Sequence, residues 1–285
     1  MEPSALFPRD RATIVGVLNV TPDSFSDGGR LWRATRVDVA AAVDAAAKLL
    51  AEGAHALDVG GESTRPGALE VPASEESARV VPVIEALAKR FDAPLSVDTR
   101  KAVVAEAALQ AGAHWVNDVS GLAHDPALAA VVARAGAGLI LGHLRGTPET
   151  MQQQVHFTDV LREVAEELSA SARAAEAAGV PRARLAVDPG IGFGKQLEHN
   201  LALLARAGEL RAHVGLPVLV GPSRKSFLAK LVPGEASERD AASGAACAVA
   251  VFAGADAVRV HDAAGAARAV AVAFALRGAR AEGRA

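Results

Sequence analysis

Cysteine occurs once in the 285 residues, tyrosine not at all, and lysine at six positions. A lone Cys247 excludes an internal disulfide, and its Ala/Val-rich surroundings (Ala245 to Phe252) mark it as a buried, inert thiol. An excess of charge of either sign is also missing: 30 Lys and Arg face 33 Asp and Glu, for a net charge of −3. That balance excludes a broad nucleic-acid-binding or anionic-membrane surface, so any anion binding must be local. No apolar stretch runs to about 18 residues without a Gly, Asp or Arg, so no transmembrane helix is expected. No basic segment precedes an apolar one at the N-terminus, so no signal peptide is expected. The eight histidines show no H-x-x-x-H spacing on a helix, which argues against a zinc site. A soluble cytoplasmic enzyme fits these absences.

What is present is 51% apolar residue content with only 22% charge, a composition that folds. Short β-branched runs alternate with longer Ala-rich amphipathic ones. Strands are expected near Thr13–Leu18, His55–Val59, Pro94–Val97, His114–Asn117, Gly138–Leu141, Arg184–Val187, Pro217–Val220 and Ala257–Val260. Helices are expected over Val37–Glu52, Ser74–Arg90, Lys101–Ala111, Pro126–Ala135, Asp159–Ala178, His199–Val214, Ala236–Ala253 and Ala263–Arg277. Strict β–α alternation implies parallel strands with helical crossovers, and eight such units close into a (β/α)8 TIM barrel. Glycines at 53, 112, 136, 179 and 254 read as helix C-caps. No linker interrupts the pattern, so one domain is expected over residues 1–285, with a frayed tail from about Arg277.

Polar residues that a barrel core would reject fall at the C-terminal end of the expected strands. They include Asn19 after the first, Asp58 to Gly67 after the second, Asp98 after the third and Asn117 after the fourth. His143 to Gly146 follow the fifth, Asp188 to Lys195 the sixth, Ser223 to Ser226 the seventh, and Arg259 to Asp262 the eighth. This is the face on which such barrels build active sites. Any one of these residues reads equally well as a helix cap or turn residue, but caps do not explain all of them together.

Two chemistries follow. Asp98, Asn117 and Asp188 suit a flat heterocycle with adjacent N–H groups, and Lys225 can donate to its carbonyl or ring nitrogen. The competing reading pairs Asp98 or Asp188 with Arg100 or Lys195. Thr64, Arg65, Arg224, Arg259 and His261 supply donors and positive charge for a polyanion, at a place where barrels often hold phosphate. The run Gly190–Gly194 lacks the full G-x-G-x-x-G register and follows a sixth strand, so it is read as a place where backbone approaches a flat ligand, with Phe193 inside it.

The stretches Asn19–Gly29 (N-V-T-P-D-S-F-S-D-G-G), Asp58–Gly67 (D-V-G-G-E-S-T-R-P-G), Ser96–Thr99, Asp188–Lys195, Ser223–Phe227 and Arg259–Asp262 resemble, in order and over the whole barrel, those of the dihydropteroate synthase family. The resemblance implies that 6-hydroxymethyl-7,8-dihydropterin pyrophosphate is joined to p-aminobenzoate, giving 7,8-dihydropteroate and pyrophosphate in folate biosynthesis. It implies that Asn19 touches the Mg2+ accompanying the pyrophosphate. It also implies that Thr64, Arg65, Arg259 and His261 hold the pyrophosphate, and that Asp98, Asn117, Asp188, Phe193 and Lys225 line the pterin pocket. Ser223 and Arg224 would sit near p-aminobenzoate, with Phe25 and Pro66 on mobile covering loops, in a homodimer. No protein nucleophile is needed, and an SN1-like displacement is expected, with Asp98, Lys225, Arg259 and His261 acting on the reacting groups. Gly142 and Leu144 stand where many members carry Met. Two other readings keep the pterin pocket: a methyltetrahydrofolate-using methyltransferase and a non-catalytic pterin-binding paralogue.

Overall fold

The computed structural model describes residues 6–21, 31–33, 36–65, 67–153 and 155–282. Its strands and helices alternate as β1 (Thr13–Asn19), a small antiparallel pair β2 (Trp32–Arg33) and β3 (Arg36–Val37), α1 (Val39–Ala51), β4 (Ala56–Gly60), α2 (Ala73–Arg90), β5 (Leu95–Asp98), α3 (Ala102–Gln110), β6 (Trp115–Asp118), α4 (Ala127–Ala135), β7 (Gly138–Gly142), α5 (Val160–Ala177) and β8 (Leu185–Asp188). The order continues with α6 (Leu197–Ala205), α7 (Ala207–Val214), β9 (Leu219–Val220), α8 (Ser226–Ala229), α9 (Asp240–Ala253), β10 (Ala257–Val260) and α10 (Ala263–Glu282). Eight parallel strands lie in the order β8-β7-β6-β5-β4-β1-β10-β9. A single parallel bridge, Val187 to Val218, joins the two ends into a barrel.

Alternation along each strand sorts the residues. One set of side chains packs outward against the helices. The other faces the barrel interior, where Val15, Ala56, Trp115, Ile140, Ala186, Leu219 and Ala257 form an apolar layer with Leu6. Phe7 closes this layer edge-on to Trp115 at 5.3 Å between ring centroids, and Thr13 Oγ1 donates to the Leu6 carbonyl at 2.6 Å. Two residues further along the strands the interior turns polar: Asp58 stands above Ala56, Asn117 above Trp115, Asp188 above Ala186 and Arg259 above Ala257. The apolar layer is thus the floor of the site.

All eight strands lie where the sequence puts them, within about two residues, and the expected capping glycines have positive φ (53, 112, 136, 179 and 254). Three helices differ. The expected helix His199–Val214 begins at Leu197, on a Gln196–His199 capping box, and breaks at Arg206 into α6 and α7. The break lets Gly208 lie against the end of α9, where an added Cβ would be 2.3 Å from the Ala253 carbonyl oxygen. Residues 236–239 form a 3-10 turn before α9. The last helix does not fray at Arg277 but runs to Glu282, because Arg277 Nη1 donates to the Val251 and Ala255 carbonyls at 3.1 and 2.8 Å. Among the described residues no helix is long and apolar enough to cross a membrane.

Candidate active site

The polar interior layer is organised by one arginine. Arg259 Nε donates to Asp58 Oδ2 and its Nη2 to Asp98 Oδ2, the latter at 2.7 Å. Asn117 Nδ2 donates to the same Asp58 oxygen at 3.1 Å, and Asp58 Oδ1 is buried without a partner. Burial opposes the charge on Arg259, but Asp58 and Asp98 outweigh it and raise its pKa. Burial pushes Asp98 up to about 7 against the pull of Arg259, and the neighbouring Asp58 adds to the rise.

Asp188 and Lys225 face each other across the layer. Asp188 Oδ1 accepts the Gly190 N–H at 2.7 Å, and burial raises its pKa although Lys225 opposes this. Lys225 Nζ donates to the Ile191 carbonyl and lies 4.1 Å from the centre of the Phe193 ring. Burial lowers the Lys225 pKa to about 8. Gly190 has φ +68°, and a Cβ there would stand 1.9 Å from the His143 carbonyl oxygen, so only glycine lets this loop pass over the fifth barrel strand. Beneath the loop, Lys195 Nζ donates to the Phe193 carbonyl at 3.1 Å and contacts His143 Nδ1 at 2.9 Å. Burial, aided by Lys195, lowers the His143 pKa to about 4, so this ring is neutral and accepts from the lysine.

A narrow slot among Asp98, Asn117, Asp188, Phe193, Lys225 and Arg259 opens into a cavity of about 490 Å³ that also reaches Asn19, Thr64, Arg65, Ser223, Arg224 and His261. The structure therefore gathers every described candidate residue into one connected space. Phe25 and Pro66, like Gly28 and Gly29, lie outside the described residues. Gly142 lines the slot. A Cβ on it would be 2.6 Å from Val119 Cα, so Val119 fills the space a larger residue would need, and the departure from Met is a matter of packing. Leu144 is buried outside the slot lining.

Two expectations about charge change. His261 is not a cation in the free protein: burial, together with Arg224, Arg259, Arg65 and Lys225, lowers its pKa to about 3. Ser223 Oγ accepts the His261 backbone N–H at 3.2 Å and lies 3.1 Å from its Nδ1. With the hydroxyl proton directed at Nδ1, the neutral ring keeps its own proton on Nε2 as a donor. Arg224, held at φ +57°, has its guanidinium engaged by Asp240, Nε to Oδ1 at 2.7 Å and Nη2 to Oδ2 at 2.8 Å. Nor does Arg100 pair with Asp98: it donates to Glu62 Oε2 at 3.1 Å.

Glu62 and Asp58 are site-supporting residues that the sequence reading did not single out. Glu62 Oε1 accepts the Val71 N–H at 2.7 Å and Lys101 Nζ at 2.8 Å, so it fastens both ends of the segment carrying Thr64 and Arg65. The signal for Asp58 was available: a charged residue in the middle of the strand Ala-Leu-Asp-Val-Gly, with the spacing of an inward position, requires a buried cation partner.

A family model described as pterin binding enzyme matches residues 15–261. The dihydropteroate synthase of Synechocystis sp. is 45% identical over 253 residues, covering 88% of this chain and 86% of the relative. Among solved structures, the Yersinia pestis dihydropteroate synthase with a sulfonamide drug complex aligns with a TM-score of 0.89 and 42% identity, over 94% of this chain and 95% of that one. The Xanthomonas albilineans enzyme with 4-aminobenzoic acid aligns with a TM-score of 0.85 and 44% identity, over 94% of both chains.

Proposed function

Because the chain belongs to the pterin-binding enzymes and, among them, to the dihydropteroate synthases of folate biosynthesis, we propose that the slot takes the dihydropterin ring and the wide cavity takes its pyrophosphate and p-aminobenzoate. The observation that carries this reading is the interior layer itself. Asp98, Asn117, Asp188 and Lys225 present acceptors and donors around the narrow slot, beside the Phe193 ring. The pyrophosphate then extends toward Thr64, Arg65, Arg259 and His261, and the aminobenzoate toward Ser223 and Arg224.

The reaction breaks the bond between the pterin methylene carbon and the bridging oxygen, which leaves with the electron pair on pyrophosphate. The aniline nitrogen then forms the new C–N bond and loses its proton to solvent. Arg259 and the Nε2–H of His261 stabilise the charge that develops on the departing oxygen. Asp98, as a carboxylate, stabilises the positive charge left on the methylene and ring, so the displacement is SN1-like. Lys225 holds the ring and keeps it in register with Phe193.

Magnesium fits this donor set in one way. Among the described residues no three His, Cys, Asp or Glu side chains group to bind a metal, whereas Asn19 brings a neutral amide oxygen to the cavity. That suits a hard cation carried mainly by phosphate oxygens and water. Such an ion, held by Asn19 and the pyrophosphate, would neutralise charge on the leaving group.

A homodimer is supported by an apolar surface on paired helices. Val249 and Phe252 of α9 and Val272 and Leu276 of α10 are exposed, more than scattered single residues require. Sedimentation of the purified protein as a monomer at micromolar concentration would reject it. The activity is tested by pyrophosphate release with the dihydropterin pyrophosphate, p-aminobenzoate and Mg2+ each omitted in turn. Release that depends on all three, with dihydropteroate formed, is the expected result. Turnover unchanged in both Arg259→Ala and His261→Ala would refute the leaving-group assignment.

A further inference from the structure

The loop that follows β7 is closed at its base by Arg145. Its Nη1 donates to the His156 carbonyl at 2.7 Å, so the start and the end of the loop are tied to one another. Nη2 donates to Glu163 Oε2 at 2.8 Å and Nε to Glu167 Oε1 at 3.1 Å, both on α5. The guanidinium carbon lies 4.1 Å from the centre of the Phe157 ring. Glu163 also accepts the Thr158 and Asp159 N–H groups at 2.7 and 2.9 Å, and Glu167 lies 3.0 Å from His143 Nε2. Ends held this close make a compact loop that packs on its own side chains, and Met151 within it is buried.

The body of this loop touches both halves of the site. On one side it leans on the loop that carries Phe193. Gln152 Nε2 donates to the Gly192 carbonyl at 3.3 Å, and a Cβ on Gly194 would stand 3.0 Å from the Met151 carbonyl oxygen. On the other side the Pro148 carbonyl accepts the Gly67 N–H at 3.1 Å, two residues beyond Arg65. The two neighbours are fastened differently. The Phe193 loop has bonds of its own along its length: Asp188 takes the Gly190 N–H, Asn200 Oδ1 takes the Gly192 N–H at 2.6 Å, and Lys195 donates to the Phe193 carbonyl. The segment carrying Thr64 and Arg65 is fastened at its ends, through Glu62 and through the Glu70–Arg100 pair at 3.5 Å. Pro148 meets it between those ends.

We propose that the loop between Arg145 and His156 is a strut that braces the Thr64–Arg65 segment against the Phe193 loop, and that Arg145 is thereby a positioning residue for the pyrophosphate. The proposal rests on the reading that Thr64 and Arg65 take the pyrophosphate and that the slot takes the pterin ring. A strut transmits position only if its foot is fixed. Arg145 fixes it: without the guanidinium, the His156 carbonyl, Glu163 and Glu167 lose their common partner, and the base can open while β7 and α5 stay in place. Thr64 and Arg65 would then meet the pyrophosphate from a looser frame, whereas the Phe193 loop keeps its other bonds. Arg145 lines neither the slot nor the wide cavity. Its effect therefore falls on binding of the pyrophosphate half and not on the bond-breaking step.

The test measures KM for dihydropterin pyrophosphate and Kd for the hydroxymethyl dihydropterin that lacks pyrophosphate. It compares wild type with Arg145→Gln, Arg145→Lys, Gln152→Ala and the double variant of Arg145→Gln with Gln152→Ala. The Arg145 side chain is 32% exposed, so its ion pairs are partly screened and the variants should fold. Arg145→Gln should raise KM for dihydropterin pyrophosphate by about five- to tenfold. Its kcat, its KM for p-aminobenzoate and its Kd for the bare dihydropterin should stay within about twofold of wild type. Arg145→Lys, which keeps the charge but not the planar fork, should be intermediate. Gln152→Ala should raise KM by about two- to threefold, and the double variant should be no worse than Arg145→Gln, because both act through one strut. The assignment is overturned if KM does not move in Arg145→Gln, if the bare dihydropterin weakens equally, as a general loss of structure would require, or if the two substitutions multiply. Arg65→Ala separates the proposal from the reading beneath it. Unchanged KM in Arg65→Ala would sink the pyrophosphate assignment itself. A raised KM there with Arg145→Gln unchanged would sink the strut alone.

Discussion

Replacing Asp58 by asparagine separates its electrostatic role from its structural one. Asp58 is 1% exposed and its Oδ2 takes hydrogen bonds from both Arg259 and Asn117. An amide of the same shape can turn its oxygen to both donors, but it removes the charge that strengthens the Arg259 bond and puts a buried NH2 group where Oδ1 already lacks a partner. Weakening a charge-assisted bond and burying an unmatched donor costs roughly 2–4 kcal/mol. Arg259 retains Asp98 at 2.7 Å, so the variant should still fold, with Tm lower by roughly 5–10 °C. The sharper consequence is in the pH–rate profile. Asp98 works as a carboxylate and its pKa is pushed up to about 7, so the wild-type rate should rise with pH through that region. Asp58 contributes to the upward push. Removing its charge lowers the Asp98 pKa directly and also leaves more of the Arg259 charge to Asp98, which acts in the same direction. In Asp58→Asn the acid limb of kcat/KM should therefore move to lower pH. The plateau should fall by about tenfold to a hundredfold, or about 1.4–2.7 kcal/mol, as Arg259 loses an anchor. The assay is kcat/KM for dihydropterin pyrophosphate between about pH 5 and 9. The substrate's own titration is common to both enzymes and drops out of the comparison. An acid limb that stays in place or moves up would refute the reasoning, whatever happens to the plateau.

Other expectations follow from neighbouring groups. Gly190→Ala should abolish pterin binding, because its Cβ would fall 1.9 Å from the His143 carbonyl; titration with a fluorescent pterin at unchanged affinity would contradict this. His261, with a pKa near 3 in the free protein, should shift upward when pyrophosphate and Mg2+ are added, since an anion offsets the surrounding cations. A ring resonance in NMR whose titration ignores the ligand would count against the site. His143 is buried neutral with a pKa near 4 against about 6.5 unfolded. The unfolded state therefore binds more protons between those values, and His143 should make stability fall as pH drops from about 6.5 to 4, by roughly 3 kcal/mol. A His143→Gln melting curve with an undiminished acid slope would show that other groups dominate. Glu62→Gln should raise KM for dihydropterin pyrophosphate about tenfold by loosening the segment that carries Thr64 and Arg65. Unchanged KM would make Glu62 a structural residue alone.

The barrel was legible because its strands are short β-branched runs between Ala-rich stretches and because glycine closes most helices. The same logic missed the break at Arg206, where the glycine that follows, Gly208, lies against Ala253, 45 residues further on in the sequence. It also missed the persistence of the last helix, whose residue Arg277 looks like a frayed end until its two carbonyl partners are seen. For the site, strand-end position identified which polar residues converge. What sequence could not supply is how they share charge. That Arg259 serves two carboxylates, that Asp240 already satisfies Arg224 and that His261 is neutral are all consequences of burial and of partners distant in the chain.

The barrel's circumference is fastened unevenly. Most neighbouring strands share three to five register pairs, yet among the described residues one parallel bridge, Val187 to Val218, links β8 to the segment entering the two-residue β9. Asp188 lies at one lip of that seam and Lys225 on the loop leaving the other. A ring held by both residues would act as a rivet across the least-stitched joint of the cylinder. Occupancy of the slot would then tighten the whole wall, and slow amide exchange at 217–221 on pterin binding would be its mechanical trace.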